Sequence, residues 1–463
     1  MKRQFSILLH ILLLLALSAC GLIPARPSTI PNPTASTNSS RLPDPGDVKA
    51  LLAQLVDVDK RAHGIVVGMI ADDPQERWVV GYGRLSATDA RIPDGDTVFE
   101  LASVGKVFTG ILLAQAVMNG EVQLEDPISM YLPEGVTAPE YAGRSITLLD
   151  LATHTSGLPW PSITPAHSSY TLDQMYAFLS GYSLARAPGS RWEYSGFGFG
   201  LLGNLLVRRA GEEDYEALLV ERITRPLGMD STHIGLTPDM RSRLAPPHNA
   251  LLAPSSSLDA PTFAGAGAGL RSTANDMLKF LAANMGLTGT ELQSALQLAN
   301  TPQRQSDGND FIGLGWNLHE SGYGIHWHPG KNPGYYCYLG WDPQRKVGVV
   351  VLANAESNFG DIALQLIRRL PLKPVSVDPQ VLAAYTGRYQ LPDGSIVTIR
   401  VDGTHIYIRL PAEPEYELSA SSENHFYLPI ADLEITFYRN DRGDVERVVG
   451  VVNGVTYEAN KVP

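Results

Sequence analysis

Hydrophobic and polar residues alternate in short runs at both ends of a long helix-rich region, and this pattern predicts a mixed domain. Near its start, VKALLAQLVDVDKRA has helical periodicity, and HGIVVGMIADD followed by RWVVGYGRL predicts two strands in hairpin order. Much later, GIHWHPG, GYYCYLGW and KVGVVVLAN predict three more strands, and FGDIALQLIRRL predicts a closing helix. We therefore expect an α+β fold, in which one sheet joins distant parts of the chain and packs against helices.

A second pattern begins after residue 377, where short alternating runs are separated by Gly, Asp and Asn. Regular short strands with turn residues between them are typical of an all-β sandwich or barrel. The predicted strands are YTGRYQL, SIVTIRVDG, HIYIRL, YELSAS, HFYLP, EITFYRND, RVVGVVNG and VTYEANK. We place the α+β domain at residues 47–372 and a C-terminal β-barrel-like domain at residues 377–463.

The N-terminal residues have the order of a secretory signal peptide. In MKRQFSILLHILLLLALSAC, two cations precede an apolar run that is short for a membrane span. The end of this segment, LSAC, resembles a bacterial lipobox, which implies a signal peptide at 1–19 and a lipid on Cys20. The alternative is ordinary signal cleavage nearby, with Cys20 incidental. Residues 20–46, rich in Pro, Ser and Thr, then form a linker.

This layout predicts an exported protein, lipid-anchored to the extracytoplasmic face of a bacterial membrane. The sequence contains two cysteines, Cys20 and Cys337. If Cys20 carries lipid, Cys337 has no partner, and we expect it to be a buried free thiol and not half of a disulfide.

Length and charge narrow the classes of function. A chain of 463 residues predicts two or three domains. With 36 basic and 48 acidic residues, the formal net charge is −12. Nucleic-acid binding needs clustered Lys and Arg, so we expect no nucleic-acid partner.

The stretch FELASVGKVFT contains a Ser-x-x-Lys motif formed by Ser103 and Lys106. On a helix these residues lie one turn apart on one face, and the helix N-terminus favours developing negative charge. Lys106 could accept a proton near pH 7 only if burial or nearby positive charge lowered its pKa from about 10.4. A Ser N-cap followed by a surface Lys gives the same motif, so this motif alone does not identify a nucleophile.

Two further motifs are YSG, from Tyr194 to Gly196, and HPG, from His328 to Gly330. Together with the Ser-x-x-Lys motif, they resemble the motif set of the penicillin-recognising serine hydrolases, in particular the branch of class C β-lactamases, D-alanyl-D-alanine carboxypeptidases and esterases. Flanking segments such as ITLLDLATHTSGLP and GAGLRSTANDMLKFL also match, over residues 50–368. The resemblance implies an antiparallel sheet flanked by helices, a helical subdomain, and an active site in the cleft between them.

The resemblance also implies roles for these residues. Ser103 would be acylated by the substrate carbonyl, and Lys106 and Tyr194 would share the proton transfers. Which of the two takes the Ser103 proton is left open, because a phenol beside a lysinium would be shifted toward phenolate. The N–H groups of Ser103 and Lys331 would form the oxyanion hole. Neither a metal nor a cofactor is implied.

Two positions on the substrate side, Gly196 and Lys331, depart from the usual family pattern, and a third, His328, varies within the family. Gly196 replaces an Asn whose amide holds a substrate carbonyl and the active-site Lys in relatives. His328 stands where many relatives carry Lys and others His, and with an ordinary pKa of about 6.5 it would hold a carboxylate weakly at pH 7. Lys331 stands where small residues are usual, and its side chain either supplies that cation or projects to solvent. Gly330 lies between them in the predicted substrate-binding strand.

Other histidines are interpreted as structural. His326 and His328 share one face of a strand, but HWHPG provides no third ligand, so we expect no metal. His154, in HTSGLP, resembles part of a structural turn in this family. The C-terminal module resembles the lipocalin-like domains of some relatives, and it could shape the cleft, bind an apolar ligand or be purely structural.

Taken together, the residues predict a serine hydrolase that cleaves an ester or amide bond of a small-molecule or peptide substrate. Because Gly196 and His328 weaken recognition of amides and carboxylates, we expect an esterase- or peptidase-like enzyme with weak β-lactamase activity. The alternative is a penicillin or cell-wall sensor, or a pseudoenzyme, that acylates slowly or not at all. The sequence leaves the natural substrate and the oligomeric state open.

Overall fold

Two compact units make up the chain, one spanning Arg41–Arg368 and one that contains Arg369–Pro463. The computed structural model describes residues 42–159, 171–256, 269–306, 310–319, 324–373, 375–411, 413–428, 433–452 and 455–463. The predicted signal peptide, the predicted lipidation residue Cys20 and most of the linker lie outside these ranges. Among the described helices, none combines the length and the apolar character that crossing a bilayer requires.

An eight-stranded antiparallel sheet forms the centre of the first unit, in the order β2-β1-β12-β11-β10-β9-β8-β7. The first-unit strands are β1 (Gly64–Ile70), β2 (Arg77–Gly83), β3 (Phe99–Glu100), β4 (Glu140–Tyr141), β5 (Arg144–Ser145), β6 (Arg271–Ser272), β7 (Arg304–Gln305), β8 (Phe311–Ile312), β9 (Asn317–Leu318), β10 (His326–Asn332), β11 (Tyr335–Asp342) and β12 (Val347–Ala353). β1 pairs with β12 from Ile65↔Ala353 to Ile70↔Gly348. The prediction that one sheet joins distant parts of the chain is therefore confirmed.

One helix precedes the sheet in the sequence, and most of the others lie between its two halves. The helices are α1 (Pro45–Ala53), α2 (Gly105–Met118), α3 (Leu148–Ala152), α4 (Leu172–Gly181), α5 (Gly196–Ala210), α6 (Tyr215–Leu219), α7 (Pro238–Arg243), α8 (Ala274–Asn284) and α9 (Gln293–Ala299), with α10 (Gly360–Ile367) after the sheet. Many begin at a side-chain cap, such as Thr147 at α3 and Ser195 at α5, which satisfies a free N–H of the first turn. α2 ends before Gly120, whose positive φ of 70° is typical of the glycine that follows the end of a helix.

Close packing around α2 fixes the region that holds Ser103. All but three of its fourteen residues are buried, and Phe108 stacks on Phe280 of α8 at 4.3 Å between ring centroids. A Cβ on Gly110 would lie 1.9 Å from the carbonyl oxygen of Leu314, so only glycine lets the segment before β9 approach this helix. The α+β class expected from the sequence, with an antiparallel sheet and packed helices, is confirmed.

A closed eight-stranded barrel forms the second unit, in which each strand pairs with the next and β13 pairs with β20. Its elements are α11 (Pro379–Tyr385), β13 (Gly387–Gln390), β14 (Ile396–Asp402), β15 (His405–Arg409), β16 (Glu415–Ala420), β17 (His425–Leu428), β18 (Leu433–Arg439), β19 (Val445–Val452) and β20 (Val455–Val462). Each of the eight predicted runs has become one strand, so the predicted all-β module is confirmed.

Aromatic rings occupy the interior of this barrel. Tyr385, the last residue of α11, stacks on Phe437 with 4.1 Å between ring centroids. Phe426 lies edge-on to both rings, and Tyr389 donates its hydroxyl to the carbonyl oxygen of Tyr385. Side chains that fill a small barrel form a packed core. This arrangement favours a structural module over the expectation of an apolar ligand inside it.

Candidate active site

Ser103 lies in a short 3₁₀ turn, Ala102–Val104, that leads directly into α2. The residue before it, Ala102, has a φ of 46°, a left-handed conformation that is uncommon for a residue other than glycine. A single strained residue next to a candidate nucleophile is typical of active sites, where the surrounding structure holds the backbone in place. The turn presents Ser103 at the N-terminal end of a long buried helix.

Two side chains converge on the Ser103 hydroxyl. The Nζ atom of Lys106 lies 3.0 Å from Oγ of Ser103, and the Tyr194 hydroxyl lies 2.9 Å from the same atom. Lys106 Nζ is also 5.0 Å from the centre of the Tyr194 ring. Tyr194 reaches the site from the segment before α5, 91 residues away in sequence. The structure thus brings together the three residues that the motifs single out as catalytic.

Burial changes the acid–base properties of these groups in opposite directions. Lys106 is 2% exposed, and burial lowers its pKa to about 7. Burial raises the pKa of Tyr194 well above 10, and its hydrogen bond to Ser103 only partly opposes this. The idea of a phenolate at Tyr194 is therefore not supported, because this phenol is less acidic than usual. Lys106 is the better proton acceptor of the two near neutral pH.

Strand β10 lies against the turn Ala102–Val104, which contains Ser103 and is called the nucleophile turn below. A Cβ on Gly330 would lie 2.0 Å from the carbonyl oxygen of Leu101 and 3.3 Å from the backbone nitrogen of Ser103. A gap below 3 Å to backbone cannot be relieved by a rotamer change, so this position requires glycine. The HPG motif is explained by this close approach of two backbones.

The same strand carries the second predicted oxyanion donor. Pro329 lies opposite Tyr338 of β11 and has no N–H to donate. Proline fits a strand position whose backbone nitrogen faces away from the paired strand, so we infer that this nitrogen faces away from β11. Because alternate residues of a strand point their N–H groups to the same side, the Lys331 N–H also points away from β11. In the described residues, β9 pairs with β10 at His326 and Trp327 and not farther along the strand, so β10 has no paired strand beside Lys331 on that side. The N–H groups of Ser103 and Lys331 remain the predicted oxyanion donors.

Comparison of the sequence with models of known protein families shows which family this chain belongs to. A family model described as Beta-lactamase matches residues 48–370, which is most of the chain. The chain belongs to the β-lactamase family. A second model, a domain of unknown function (DUF3471), matches residues 372–453, within the barrel unit.

Relatives in this family include enzymes of more than one kind. The D-alanyl-D-alanine-carboxypeptidase/endopeptidase AmpH of Escherichia coli (strain K12) is 30% identical over 358 residues, covering 68% of this chain and 90% of the relative. A β-lactamase of the same organism is 34% identical over 229 residues, covering 48% and 57%. Penicillin-binding protein 4* of Bacillus subtilis (strain 168) is 24% identical over 402 residues, covering 77% and 86%. This chain is accordingly a serine hydrolase of the β-lactamase family.

Solved structures agree with this assignment. The β-lactamase/D-alanine carboxypeptidase from Yersinia pestis, complexed with citrate, is 26% identical with a TM-score of 0.58, covering 69% of this chain and 97% of that one. A class C β-lactamase has a TM-score of 0.63 at 22% identity, covering 70% and 96%, and supports the fold alone.

His328, the first residue of the family's third motif, is a neutral buried side chain in this protein. It is 3% exposed, and burial, together with the charge of Lys106, lowers its pKa to about 3. Its Nδ1 lies 2.8 Å from the carbonyl oxygen of Pro329, and a carbonyl only accepts, so Nδ1 carries the proton. The free Nε2 is then a hydrogen-bond acceptor. His328 cannot hold a substrate carboxylate by charge, as the sequence anticipates.

Lys331 does not supply the positive charge that is missing at His328, because its side chain lies on the other face of the strand. Its side chain is exposed, on the opposite strand face from His328, and its Nζ lies 3.4 Å from a carboxylate oxygen of Glu356. A partly exposed ion pair contributes about 0–1 kcal/mol, so this contact is easily exchanged for another. The structure thus gives Lys331 an acidic partner that the sequence did not predict.

Gly196 stands in open space. It is the first residue of α5, its φ is not in the left-handed region, and a Cβ on it would have no neighbour within 4 Å. Unlike Gly330, this glycine is not required by packing or by the backbone. The family's Asn is therefore absent although the structure has room for it.

Two features of the site were not found from the sequence. A buried ion pair joins Glu100 and Arg271 at 3.0 Å, and Glu100 also accepts a hydrogen bond from Asn332, at the end of β10. These contacts connect β3, the strand before Ser103, to β6 and to β10, the strand that carries Lys331. The second feature is His154, which stacks on the Tyr194 ring. Nothing in the spacing of these residues reveals their contact, because they come from separate parts of the chain.

The remaining histidine interpretations can be compared with the contacts. The ring of His326 packs on Trp341, 4.4 Å away, and His328 is bonded to Pro329. Over the residues that the structure describes, no group of three or more His, Cys, Asp and Glu side chains is arranged to hold a metal. Cys337 is buried in β11 as a free thiol.

Proposed function

We propose that this protein hydrolyses an ester or amide bond through an acyl-enzyme on Ser103, and that it prefers small esters to β-lactams. The observation that carries the proposal is the convergence of Lys106 and Tyr194 on the Ser103 hydroxyl, at 3.0 Å and 2.9 Å. A nucleophile within hydrogen-bond reach of a buried base is the arrangement that nucleophilic catalysis needs.

Acylation would begin when Ser103 attacks the substrate carbonyl and its proton passes to the neutral Nζ of Lys106. With a pKa of about 7, roughly half of the Lys106 side chains are neutral at pH 7. The leaving group takes a proton from the Tyr194 hydroxyl, and Lys106 then returns its proton to Tyr194. In deacylation, water attacks the ester carbonyl on Ser103 and gives up a proton to the same two groups, and a proton returns to Oγ of Ser103. The acid product is released and the serine is restored.

The preference for esters rests on two contacts that are missing beside this centre. Gly196 provides no amide to hold the acyl side-chain carbonyl of a β-lactam or peptide, and neutral His328 provides no cation for a carboxylate. A lost hydrogen bond in such a site costs about 1–3 kcal/mol, which changes substrate preference without removing the chemistry. Small esters need neither contact.

We also propose that the protein is exported and anchored through a lipid on Cys20. The lipobox-like LSAC and the Pro-rich linker support this location. Expression of the full chain and of Cys20→Ala in a bacterial host tests it: the lipid should add its mass to the wild type alone and move it to the membrane fraction. Equal soluble release of both proteins would contradict the anchor.

The function is tested by intact-protein mass spectrometry of the purified full chain. The protein is mixed with benzylpenicillin or, separately, with p-nitrophenyl acetate, alongside Ser103→Ala. Ser242→Ala, which changes an exposed serine of the same unit, is the matched control. We expect rapid ester turnover with a transient acetyl adduct in the wild type and in Ser242→Ala, and neither in Ser103→Ala.

The penicillin arm separates the proposed enzyme from its alternative. Little adduct, or an adduct that is hydrolysed, agrees with an esterase- or peptidase-like hydrolase. A persistent penicillin adduct with slow ester turnover would favour the penicillin or cell-wall sensor instead. If neither reagent modifies Ser103, the proposed mechanism is wrong.

A further inference from the structure

His154 contacts Tyr194 and both of its neighbours in the chain. Its carbonyl oxygen accepts the N–H of Glu193, the residue before Tyr194, at 2.7 Å. Its ring nitrogen Nδ1 accepts the N–H of Ser195, the residue after Tyr194, at 2.9 Å. Its ring lies on the Tyr194 ring, with 4.3 Å between centroids and 25° between planes. Three separate contacts from one residue therefore surround the tyrosine that reaches Ser103.

The backbone of His154 is held in one conformation. His154 has a φ of 57°, a left-handed conformation that costs a residue with a side chain of this size about 1 kcal/mol or more. Hydrogen bonds on either side hold it there: Thr153 donates to the carbonyl of Leu149, and Thr155 donates to the buried carboxylate of Asp150. A strained residue that its neighbours hold in place is a common feature of functional sites.

The ring of His154 is also fixed in one protonation form. It is 2% exposed, and burial lowers its pKa well below 6.5, with the charge of Lys106 acting in the same direction. Because the Ser195 N–H donates to Nδ1, this nitrogen carries the lone pair and the proton is on Nε2. A neutral ring of one tautomer can accept that N–H and lie flat on a phenol without placing a second cation beside Lys106.

We propose that His154 is a positioning residue for the hydrolytic reaction, which holds the Tyr194 hydroxyl at the distance where it serves Ser103. His154 touches neither Ser103 nor a substrate in this role, and it acts only through Tyr194. The inference rests on the proposed acylation of Ser103. It differs from the interpretation of HTSGLP as a structural turn, because a turn alone does not require an imidazole on the tyrosine ring.

The size of the effect follows from geometry. Without the Nδ1 acceptor, the Ser195 N–H would be buried with no partner, and the Tyr194 segment would move to find one. A displacement of about 1 Å at a catalytic group can slow a reaction about 100-fold. Substrate binding would change little, since Tyr194 assists proton transfer and not binding.

The test compares variants of His154 in the full chain by the burst of p-nitrophenol release from p-nitrophenyl acetate. His154→Asn keeps an acceptor near the Nδ1 position and tolerates the left-handed backbone, whereas His154→Phe keeps a stacked ring without the acceptor. We expect the Phe variant to lower the acylation rate about 10- to 100-fold with KM nearly unchanged, and the Asn variant to be faster than Phe by about tenfold.

A double-mutant cycle with Tyr194→Phe separates positioning from general stability. If His154 acts through Tyr194, adding His154→Phe to Tyr194→Phe should lower the rate by less than about twofold further, because residues that act together are not additive. Thermal unfolding of each variant is measured in parallel. If the Phe variant does not fold, His154→Gly replaces it, since Gly also tolerates this backbone and lacks the acceptor.

Two results would overturn the positioning role. One is equal acylation rates for the Asn, Phe and Gly variants and the wild type. The other is the same fold-loss from His154→Phe with and without Tyr194. A wild-type protein that is not acylated at Ser103 by any reagent is a different outcome, since it contradicts the proposed function itself.

Discussion

At the scale of single residues, the property that matters most is the pKa of Lys106. A lysine in water holds its proton strongly at neutral pH and cannot act as a base. Burial against the nucleophile turn lowers the pKa of this lysine to about 7, while the pKa of the neighbouring Tyr194 rises. The same loss of water therefore supports the proposed roles, since it favours the neutral form of Lys106 and keeps Tyr194 protonated.

This division predicts a pH dependence. Lys106 acts when it has lost its proton, so kcat/KM for p-nitrophenyl acetate should rise with pH through a midpoint near 7 and fall about tenfold per pH unit below it. The pH–rate profile is measured from pH 5 to 9 with Ser103→Ala subtracted as background. A profile that is flat across this range, or still rising at pH 9, would contradict Lys106 as the base.

Gly196 gives a second prediction at the same scale. Because nothing lies within 4 Å of a Cβ there, Gly196→Asn should fold normally and restore an amide beside the substrate. The rate of Ser103 acylation by benzylpenicillin should rise about tenfold, which corresponds to about 1.4 kcal/mol, the value of one good hydrogen bond. The rate is measured by quenching the reaction at successive times and quantifying the adduct by intact-protein mass spectrometry.

The matched control for this change is Gly289→Asn, at an exposed glycine of the same unit with equally open surroundings. It should leave both penicillin acylation and ester turnover unchanged. If Gly196→Asn slows ester turnover and does not raise penicillin acylation, the missing amide is not what limits β-lactam recognition.

At the scale of elements, two-residue strands hold the site together. β3 and β6 pair Glu100 directly with Arg271, and the carboxylate of Glu100 also reaches Asn332 of β10. Both charged side chains are almost fully buried. Removing one member of a buried pair leaves the other charge uncompensated, which costs far more than the loss of a surface ion pair.

Glu100→Ala should therefore lower the free energy of unfolding of the first unit by about 3–5 kcal/mol. Glu221→Ala, which breaks an exposed pair with Arg225, should change it by less than about 1 kcal/mol. All six tryptophans of the chain lie between residues 78 and 341, so denaturation followed by tryptophan fluorescence reports on this unit. Equal losses in the two variants would mean that the buried pair is not structurally important.

The elements also show how far the sequence was informative. Longer strands such as β1, β11 and β12 are mostly apolar runs that are buried along their whole length, and the eight barrel strands are short alternating runs. Both patterns were predicted from the sequence. β3 and β6, with two residues each, have no periodicity to detect, and their pairing depends on contacts 171 residues apart in sequence.

The same limit applies within the active site. Ser103, Lys106 and Tyr194 were found because their motifs have fixed spacing along the chain. The role of His154 was missed because its partner Ser195 lies 41 residues away, and its effect arises from stacking and backbone contact. The direction of the Tyr194 pKa was also missed, since burial is a property of the folded chain.

At the scale of the whole molecule, each unit has a hydrophobic core of its own. The barrel core is built from residues between Val377 and Ala459, and the larger core from residues of the first unit. The barrel interior is packed with rings such as Tyr385, Phe426 and Phe437. A unit with its own core and a closed sheet has what it needs to fold alone.

Residues 369–463 expressed alone should therefore form a stable β protein. We expect a β-type far-UV circular dichroism spectrum, a near-UV signal from the stacked tyrosines, and a single cooperative thermal transition. The matched control, residues 369–454, lacks β20 and should show neither the near-UV signal nor the cooperative transition. If 369–463 is unfolded on its own, the barrel depends on the first unit.

The pairing of first and last strands in both units also determines when each can fold during synthesis. β1 waits for β12, which is made some 280 residues later, and β13 waits for β20. A ribosome therefore releases most of each unit before its sheet can close, and partly made sheets have open edges that can pair wrongly. Nascent chains of this protein should thus depend on holding chaperones until β12 and then β20 have emerged.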